Sequence, residues 1–135
     1  MARGLTVAAA QLGPFAESKE AMVGRMTSLV EQAAEAGVEA LTFPELALSP
    51  YFPRALSDDF DRWFEPEMPS PLTRPLFDAA RAAGIAFVLP YAELADDRYF
   101  NSAISIHAVP NLTGFVPNRA SSSSATDVPK SPSAS

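Results

Sequence analysis

Two short apolar runs with an amphipathic pattern between them constrain the fold of this chain more than any other feature. The first run, "LTVAAAQL" (residues 5–12), stops at a Gly-Pro pair and suits a buried strand. Residues 18–36 then carry apolar side chains at spacings of three and four, and Gly37 fits the left-handed position that commonly ends a helix. The second run, "VEALTF" (residues 38–43), predicts another buried strand. Strand, helix and strand in this order are typical of an α/β layer fold.

The patterned part continues with more helix and strand signals. Residues 55–64 predict a short helix, and residues 71–83 predict a firmer one with Ser70 as its cap and proline at its first position. Residues 85–94 and 99–108 predict two strands, and the short polar turn between them indicates a hairpin. The predicted order is therefore β-α-β-(α)-α-β-β.

Composition excludes several classes of function. The chain has 135 residues, 47% of them apolar, so it can build the core of one small domain. Its net charge of −6 gives no reason to expect a nucleic-acid partner. It has no cysteine, which excludes a disulfide framework, a thiolate metal site and a cysteine nucleophile within these residues. No leader pattern and no run of about 18 apolar residues is present, so we expect no membrane span and a cytoplasmic protein.

The composition changes near residue 109. Residues 1–108 carry the regular apolar patterns, whereas residues 109–135 hold seven serines, four prolines and three charged residues. Such a segment buries too little apolar surface to offset the entropy lost on ordering its backbone. We therefore predict one patterned domain over 1–108 and a tail over 109–135 that is mostly disordered, from about residue 118.

Glu45 is the first candidate for chemistry. It follows the second predicted strand, and ligand sites of open α/β sheets lie at the carboxyl ends of strands. Apolar neighbours in sequence, among them Phe43, Leu46, Tyr51 and Phe52, could wall a pocket in which a carboxyl is suited to proton transfer near neutral pH. The alternative is an acid that caps the next turn or is simply solvated. Position alone leaves both open.

Other polar residues favour structural roles. Asp58, Asp59 and Asp61 form an acidic cluster but lack the glycine and spacing of a calcium loop, so a helix N-terminus is the better interpretation. His107 is the sole histidine, and one histidine without cysteine cannot assemble a typical zinc site. We expect no metal and no cofactor.

Several segments follow one another over about residues 5–107: "VAAAQLGP", "EQAAEAGVEALTFPELAL", "FPELALSPYFPR", "EMPSPLTRPLFDAARAAGIAFVLPYAEL" and "RYFNSAISI". In this order they resemble the carbon–nitrogen hydrolase (nitrilase) superfamily, and "FPELALSPYFPR" is similar to its first signature. Together they look most like the branch that hydrolyses N-carbamoyl-D-amino acids.

The resemblance implies a fold and a mechanism. The fold would be α/β, the N-terminal portion of a four-layer α-β-β-α sandwich. Glu45 would be the base of a Glu-Lys-Cys triad, with Tyr51 and Phe52 as substrate-pocket wall. The substrate would be a small amide or N-carbamoyl amino acid, and relatives of this kind are homo-oligomers.

The chain departs from the family pattern after residue 108. It has no cysteine, Lys19 lies on the first predicted helix, and Lys130 lies in the Ser/Pro tail without matching neighbours. We interpret the break as a truncated or frame-shifted reading of a longer gene. Two hypotheses follow: a carbon–nitrogen hydrolase by descent, or an inactive fragment or half-domain that only associates with other chains. For the chain alone we favour the second.

Overall fold

The computed structural model describes residues 4–50 and 61–106, together with the backbone pairing of residues 115–118 and 128–129. Within these residues the elements are, in chain order, β1 (Val7–Ala9), α1 (Lys19–Glu35), β2 (Ala40–Thr42), a 3₁₀ turn (Asp61–Trp63), α2 (Arg74–Ala83), β3 (Ala86–Ala95), β4 (Arg98–Ile106), β5 (Phe115–Asn118) and β6 (Val128–Pro129). The helices among them are too short or too polar to cross a membrane. The predicted order of the other strands and helices is confirmed through β4, whereas most of the short helix predicted over residues 55–64 lies outside the described residues.

The strands form one mixed sheet in the order β1-β2-β3-β4-β5, with β6 also paired to β4. β1, β2 and β3 are parallel, and β4 returns antiparallel to β3. Asp96 and Asp97 make the two-residue loop between them, both with positive φ (52° and 57°). A type I′ loop needs this conformation at both positions, and it fixes the hairpin register with Ala95 opposite Arg98.

The helices begin and end for local reasons, and α2 begins at Arg74 rather than at residue 71. Ser18 caps α1 by accepting a hydrogen bond from the amide of Ala21 at 3.1 Å. Ser70 caps the turn that leads into α2: its hydroxyl accepts the amide of Thr73, the Thr73 hydroxyl accepts the amide of Ser70, and the Ser70 carbonyl accepts the amide of Arg74 at 2.9 Å. Residues 71–73 form this turn, so the helix itself begins at Arg74; it ends, as predicted, at Gly84 in the left-handed conformation.

The core lies between the two helices and one face of the sheet. Phe87 of β3 is at its centre, with its ring edge-on to Phe43 and Phe77 at centroid distances of 5.8 and 5.1 Å. The other buried members include Met22, Met26, Val30, Leu41, Leu76, Ala80, Leu89, Tyr91 and Ile104. The alternation of side chains along β3 and β4 places these residues on the helix-covered face and leaves their neighbours on the other.

The opposite face of the sheet is open in the part of the chain that the structure describes. Val7 and Val88, which lie on this face by strand alternation, are 64% and 37% exposed. Leu5, just before β1, is also 64% exposed. Large apolar side chains are seldom left in water together without a partner.

The predicted tail contains two short strands. Residues 115–118 pair with residues 103–106 of β4, and residues 128–129 pair with Arg98 and Tyr99. These strands need no apolar pattern in the sequence, because an exposed strand edge offers backbone hydrogen bonds to any extended segment. The remaining residues of 109–135 lie outside the described part, so disorder there stays a prediction.

Candidate active site

The turn after β2 is fixed to β3 at two successive points. The amide of Phe43 donates to the carbonyl of Val88 at 3.0 Å, and the amide of Ala47 donates to the carbonyl of Pro90 at 3.2 Å. Glu45 lies midway between these two anchors. Pro90 is tolerated inside β3 because its position lies past the end of β2 and needs no amide donor there. Backbone hydrogen bonds therefore hold the turn that carries Glu45.

The residue after Glu45 adopts an unusual backbone conformation. Leu46 has φ of 51°, in the left-handed region that a bulky L-residue rarely occupies. Its side chain is buried, as are those of Ala47 and Leu48. Burial of these three side chains offsets a backbone cost of about 1–2 kcal/mol. Strained positions of this kind cluster at functional sites, and this one directs Glu45 away from the core.

The Glu45 carboxylate accepts a hydrogen bond from β4. The side-chain amide of Asn101 donates from Nδ2 to Oε1 of Glu45 at 2.8 Å. Asn101 pairs with Ala92 in the hairpin and alternates with buried Ser102 and Ile104, so it lies on the open face of the sheet. Glu45 reaches the same face.

Glu45 is exposed, which corrects one expectation. Phe43 and Leu46, expected to wall a pocket around it, are buried on the core side of the turn. Tyr51 and Phe52, the other predicted wall residues, lie outside the described residues. Within the described part the carboxylate therefore borders an open surface.

Tyr99 lies two residues before Asn101 on the same face of β4. Its hydroxyl donates to Oδ1 of Asp61, and its ring contacts that of Phe64 at 4.4 Å between centroids. The hydrogen bond to Asp61, followed by burial and the Asp61 charge, raises the pKa of Tyr99 to about 12. The phenol therefore stays protonated at neutral pH and cannot compete with Glu45 as a base.

Lys19 forms an ion pair with Glu65 and not with Glu45. Its Nζ lies 2.6 Å from Oε1 of Glu65, and the two side chains are only 16% and 6% exposed. Glu65 in turn pairs with β3, since its amide donates to Ala92 at 2.8 Å and its carbonyl accepts from Leu94 at 3.0 Å. The pair ties α1 to the segment beside β3, and Lys19 serves as a structural cation.

Of the remaining predicted candidates, Asp61 is the one within the described residues. Asp61 binds Tyr99, whereas Asp58, Asp59, His107 and Lys130 lie outside the described residues. Over residues 4–50 and 61–106, no group of three or more histidine or acidic side chains could hold a metal ion.

The arrangement can accept a proton but lacks a nucleophile to activate. A carboxylate held by one amide donor at the edge of a sheet is suited to general-base chemistry. The 135 residues contain no cysteine that could be its partner. Any thiol that Glu45 deprotonates must therefore come from outside them.

Sequence reasoning missed Asn101. The motif "RYFNSAISI" was visible, but nothing in it tells an orienting amide from an ordinary polar residue on a strand. The signal that could have found it is the Asp-Asp loop, because a two-residue type I′ loop fixes the whole hairpin register.

Solved structures with the same fold include a carbon–nitrogen hydrolase and a member of the nitrilase superfamily. A carbon–nitrogen hydrolase from Helicobacter pylori is 18% identical and superposes with a TM-score of 0.67 over 84% of this chain. Nit3 of Saccharomyces cerevisiae, a member of branch 10 of the nitrilase superfamily, is 23% identical and superposes with a TM-score of 0.66 over 96% of this chain. A glutamine-dependent NAD(+) synthetase from Cytophaga hutchinsonii is 18% identical over 77% of the chain, with a TM-score of 0.56.

This chain spans half or less of the length of these structures. It covers 39% of the Helicobacter chain, 50% of the yeast chain and 17% of the synthetase chain. At these identities the superpositions show the fold, which is α/β as predicted. Residues 6–119 match the carbon–nitrogen hydrolase family by sequence. The chain therefore belongs to the carbon–nitrogen hydrolase family.

Proposed function

We propose that this chain forms the base-bearing half of a carbon–nitrogen hydrolase that acts on N-carbamoyl amino acids or related amides. Membership of the family supports hydrolysis of carbon–nitrogen bonds in general. The observation that carries the proposal is the position of Glu45, at the end of β2, between two backbone anchors and bonded to Asn101. The N-carbamoyl specificity rests on the sequence resemblance of "FPELALSPYFPR" and "YAEL" to that branch.

Glu45 would act first as a base and then as an acid. It takes the proton of a cysteine thiol, and the thiolate forms a bond to the carbonyl carbon of the substrate while a lysine cation stabilises the oxyanion. The carbon–nitrogen bond breaks, and the leaving amine takes the proton back from Glu45. Water then hydrolyses the acyl-enzyme. The cysteine and the lysine of this scheme belong to polypeptide outside the 135 residues.

The open face of the sheet supports association with that polypeptide. Glu45, Asn101 and the exposed Val7 and Val88 lie on this face. A nucleophile must come within hydrogen-bond distance of Glu45, so whatever carries it has to cover this face. The alternative is a half-domain that associates through the face without chemistry, and the absence of cysteine favours it for the chain alone.

Ammonia release from N-carbamoyl amino acids tests the proposal. We expect none from the purified chain alone. A chimaera in which this chain replaces the aligned part of a carbon–nitrogen hydrolase should turn over, because it regains a cysteine and a lysine. Glu45→Gln in the chimaera should lower kcat by about 10⁴-fold or more, the scale on which removing a catalytic group acts.

A matched variant controls for the loss of one carboxylate. Glu35 is an exposed acid at the end of α1, and Glu35→Gln should leave turnover unchanged. Equal turnover of the two variants would remove Glu45 from the mechanism. Turnover by the chain alone that Glu45→Gln abolishes would show that no outside nucleophile is needed.

A further inference from the structure

We infer that Asn101 is the positioning residue of Glu45, and that it orients the carboxylate toward the open face of the sheet. The inference deepens the proposed function and rests on it for its catalytic meaning. The contact itself can be tested without any turnover.

β3 anchors both the turn that carries Glu45 and the strand that carries Asn101. β3 holds the Glu45 turn through the carbonyls of Val88 and Pro90. β3 also holds Asn101, because Ala92 is its partner in a hairpin whose nine residue pairs run without a bulge from Ala95 to Phe87. The relative position of the amide and the carboxylate is therefore set by one rigid element, which is what a catalytic group needs from its support.

The Asn101 hydrogen bond engages one of the two carboxylate oxygens of Glu45. An asparagine side chain can donate to a carboxylate only through its NH₂ group, which fixes the direction of the bond at Oε1 of Glu45. Within residues 4–50 and 61–106, no second donor to this carboxylate is found. As far as these residues are concerned, Oε2 keeps its lone pairs for a proton from a group arriving on the open face.

Neighbouring polar residues of β4 cannot replace Asn101. Tyr99 donates its hydroxyl to Asp61. Ser102 lies on the helix-covered face and donates to Oε2 of Glu93 at 2.5 Å. Asn101 is thus the β4 residue whose side-chain amide donates a hydrogen bond to Glu45.

Nuclear magnetic resonance of the full chain tests the orientation. We expect the Asn101 side-chain amide protons to shift on Glu45→Ala, and the ¹³C resonance of the Glu45 carboxyl to move on Asn101→Ala. The control is Ser105→Ala, which removes a polar side chain from the same face of β4 at the position opposite Val88. It should leave the Glu45 carboxyl resonance in place.

A pair of variants that reverses donor and acceptor distinguishes a specific Glu45–Asn101 hydrogen bond from nonspecific packing of the two side chains. Asn101→Asp places a second carboxylate against Glu45 and should lower the melting temperature of the full chain at neutral pH. In an E45Q background the same N101D substitution should cost little, since the new amide at position 45 can donate to the new carboxylate. Double-mutant comparison of this kind isolates the pairwise contact.

The inference fails if Asn101→Ala leaves the chemical shift of the Glu45 carboxyl carbon unchanged, or if N101D lowers the melting temperature equally in the native and E45Q backgrounds. Neither result would contradict the proposed function, which is tested by the turnover of the chimaera with Glu45→Gln. An inactive chimaera with intact coupling between the two residues would overturn the proposed function and still support Asn101 as the residue that orients Glu45.

Discussion

The Lys19–Glu65 pair offers the sharpest stability prediction. Its two side chains are 16% and 6% exposed, with Nζ and Oε1 2.6 Å apart. Lys19→Met keeps the length and the apolar stem of the side chain but removes the charge. Glu65 is then left as a buried carboxylate without its cation, while its backbone stays bonded to Ala92 and Leu94.

Breaking a buried ion pair from one side costs about 3–5 kcal/mol, because the remaining charge has lost its compensation. We expect Lys19→Met to lower the free energy of unfolding by that amount in urea titrations. Replacing both partners, as in K19M with E65L, should recover most of the loss, since two apolar side chains in the same space leave no charge uncompensated.

A surface substitution provides the control. Arg81 is an exposed cation in the last turn of α2, and Arg81→Met should change the unfolding free energy by no more than about 0.5 kcal/mol. If Lys19→Met behaved like Arg81→Met, the pair would be solvated and the argument from burial would be wrong. If K19M with E65L were no more stable than K19M alone, the uncompensated charge would not be the cause of the loss.

Three further predictions follow from single residues. The pKa of Tyr99 is raised to about 12 from an ordinary 10.0, so its hydrogen bond to Asp61 contributes stability below pH 10 that is lost as pH rises toward 12. Tyr99→Phe should remove this pH dependence of the melting temperature. A pH profile that Tyr99→Phe leaves unchanged would assign the dependence to other groups. Asp97→Gly should raise the melting temperature, because glycine adopts the positive φ of 57° without the cost that aspartate carries there; a lower melting temperature would contradict the I′ loop. In the chimaera, Asn101→Ala should lower kcat by about 10–100-fold with KM unchanged, since a misplaced catalytic group costs rate on that scale; a rise in KM alone would indicate substrate binding instead.

Local patterns predicted much of this fold because short-range physics determines them. The apolar spacing of Met22, Met26 and Val30 placed α1, and the left-handed glycines at 37 and 84 marked where the helices stop. The polar turn before Arg98 indicated the β3–β4 hairpin. The cap of α2 was found at Ser70, but its first helical residue was placed too early because residues 71–73 form a turn before Arg74, a boundary that the residue types alone do not mark.

The site was harder to predict because it depends on contacts between distant parts of the chain. Glu45 was found from its place after β2 and from the family resemblance, but its exposure depends on the left-handed Leu46, which no periodicity signals. Its partner Asn101 is 56 residues further along. The commitment of Lys19 to Glu65 joins residues 46 apart, so only the three-dimensional structure shows it.

The most direct test of Glu45 as a base is the reactivity of the thiol it would deprotonate. In the chimaera, the rate at which iodoacetamide alkylates the nucleophilic cysteine at neutral pH reports how much thiolate is present. Glu45→Gln should slow alkylation by about tenfold or more, while Glu35→Gln leaves the rate unchanged, because Glu45 lies on the open face of the sheet beside Asn101 and Glu35 lies at the end of α1. Equal alkylation rates in the two variants would contradict the assignment of Glu45 as the proton acceptor.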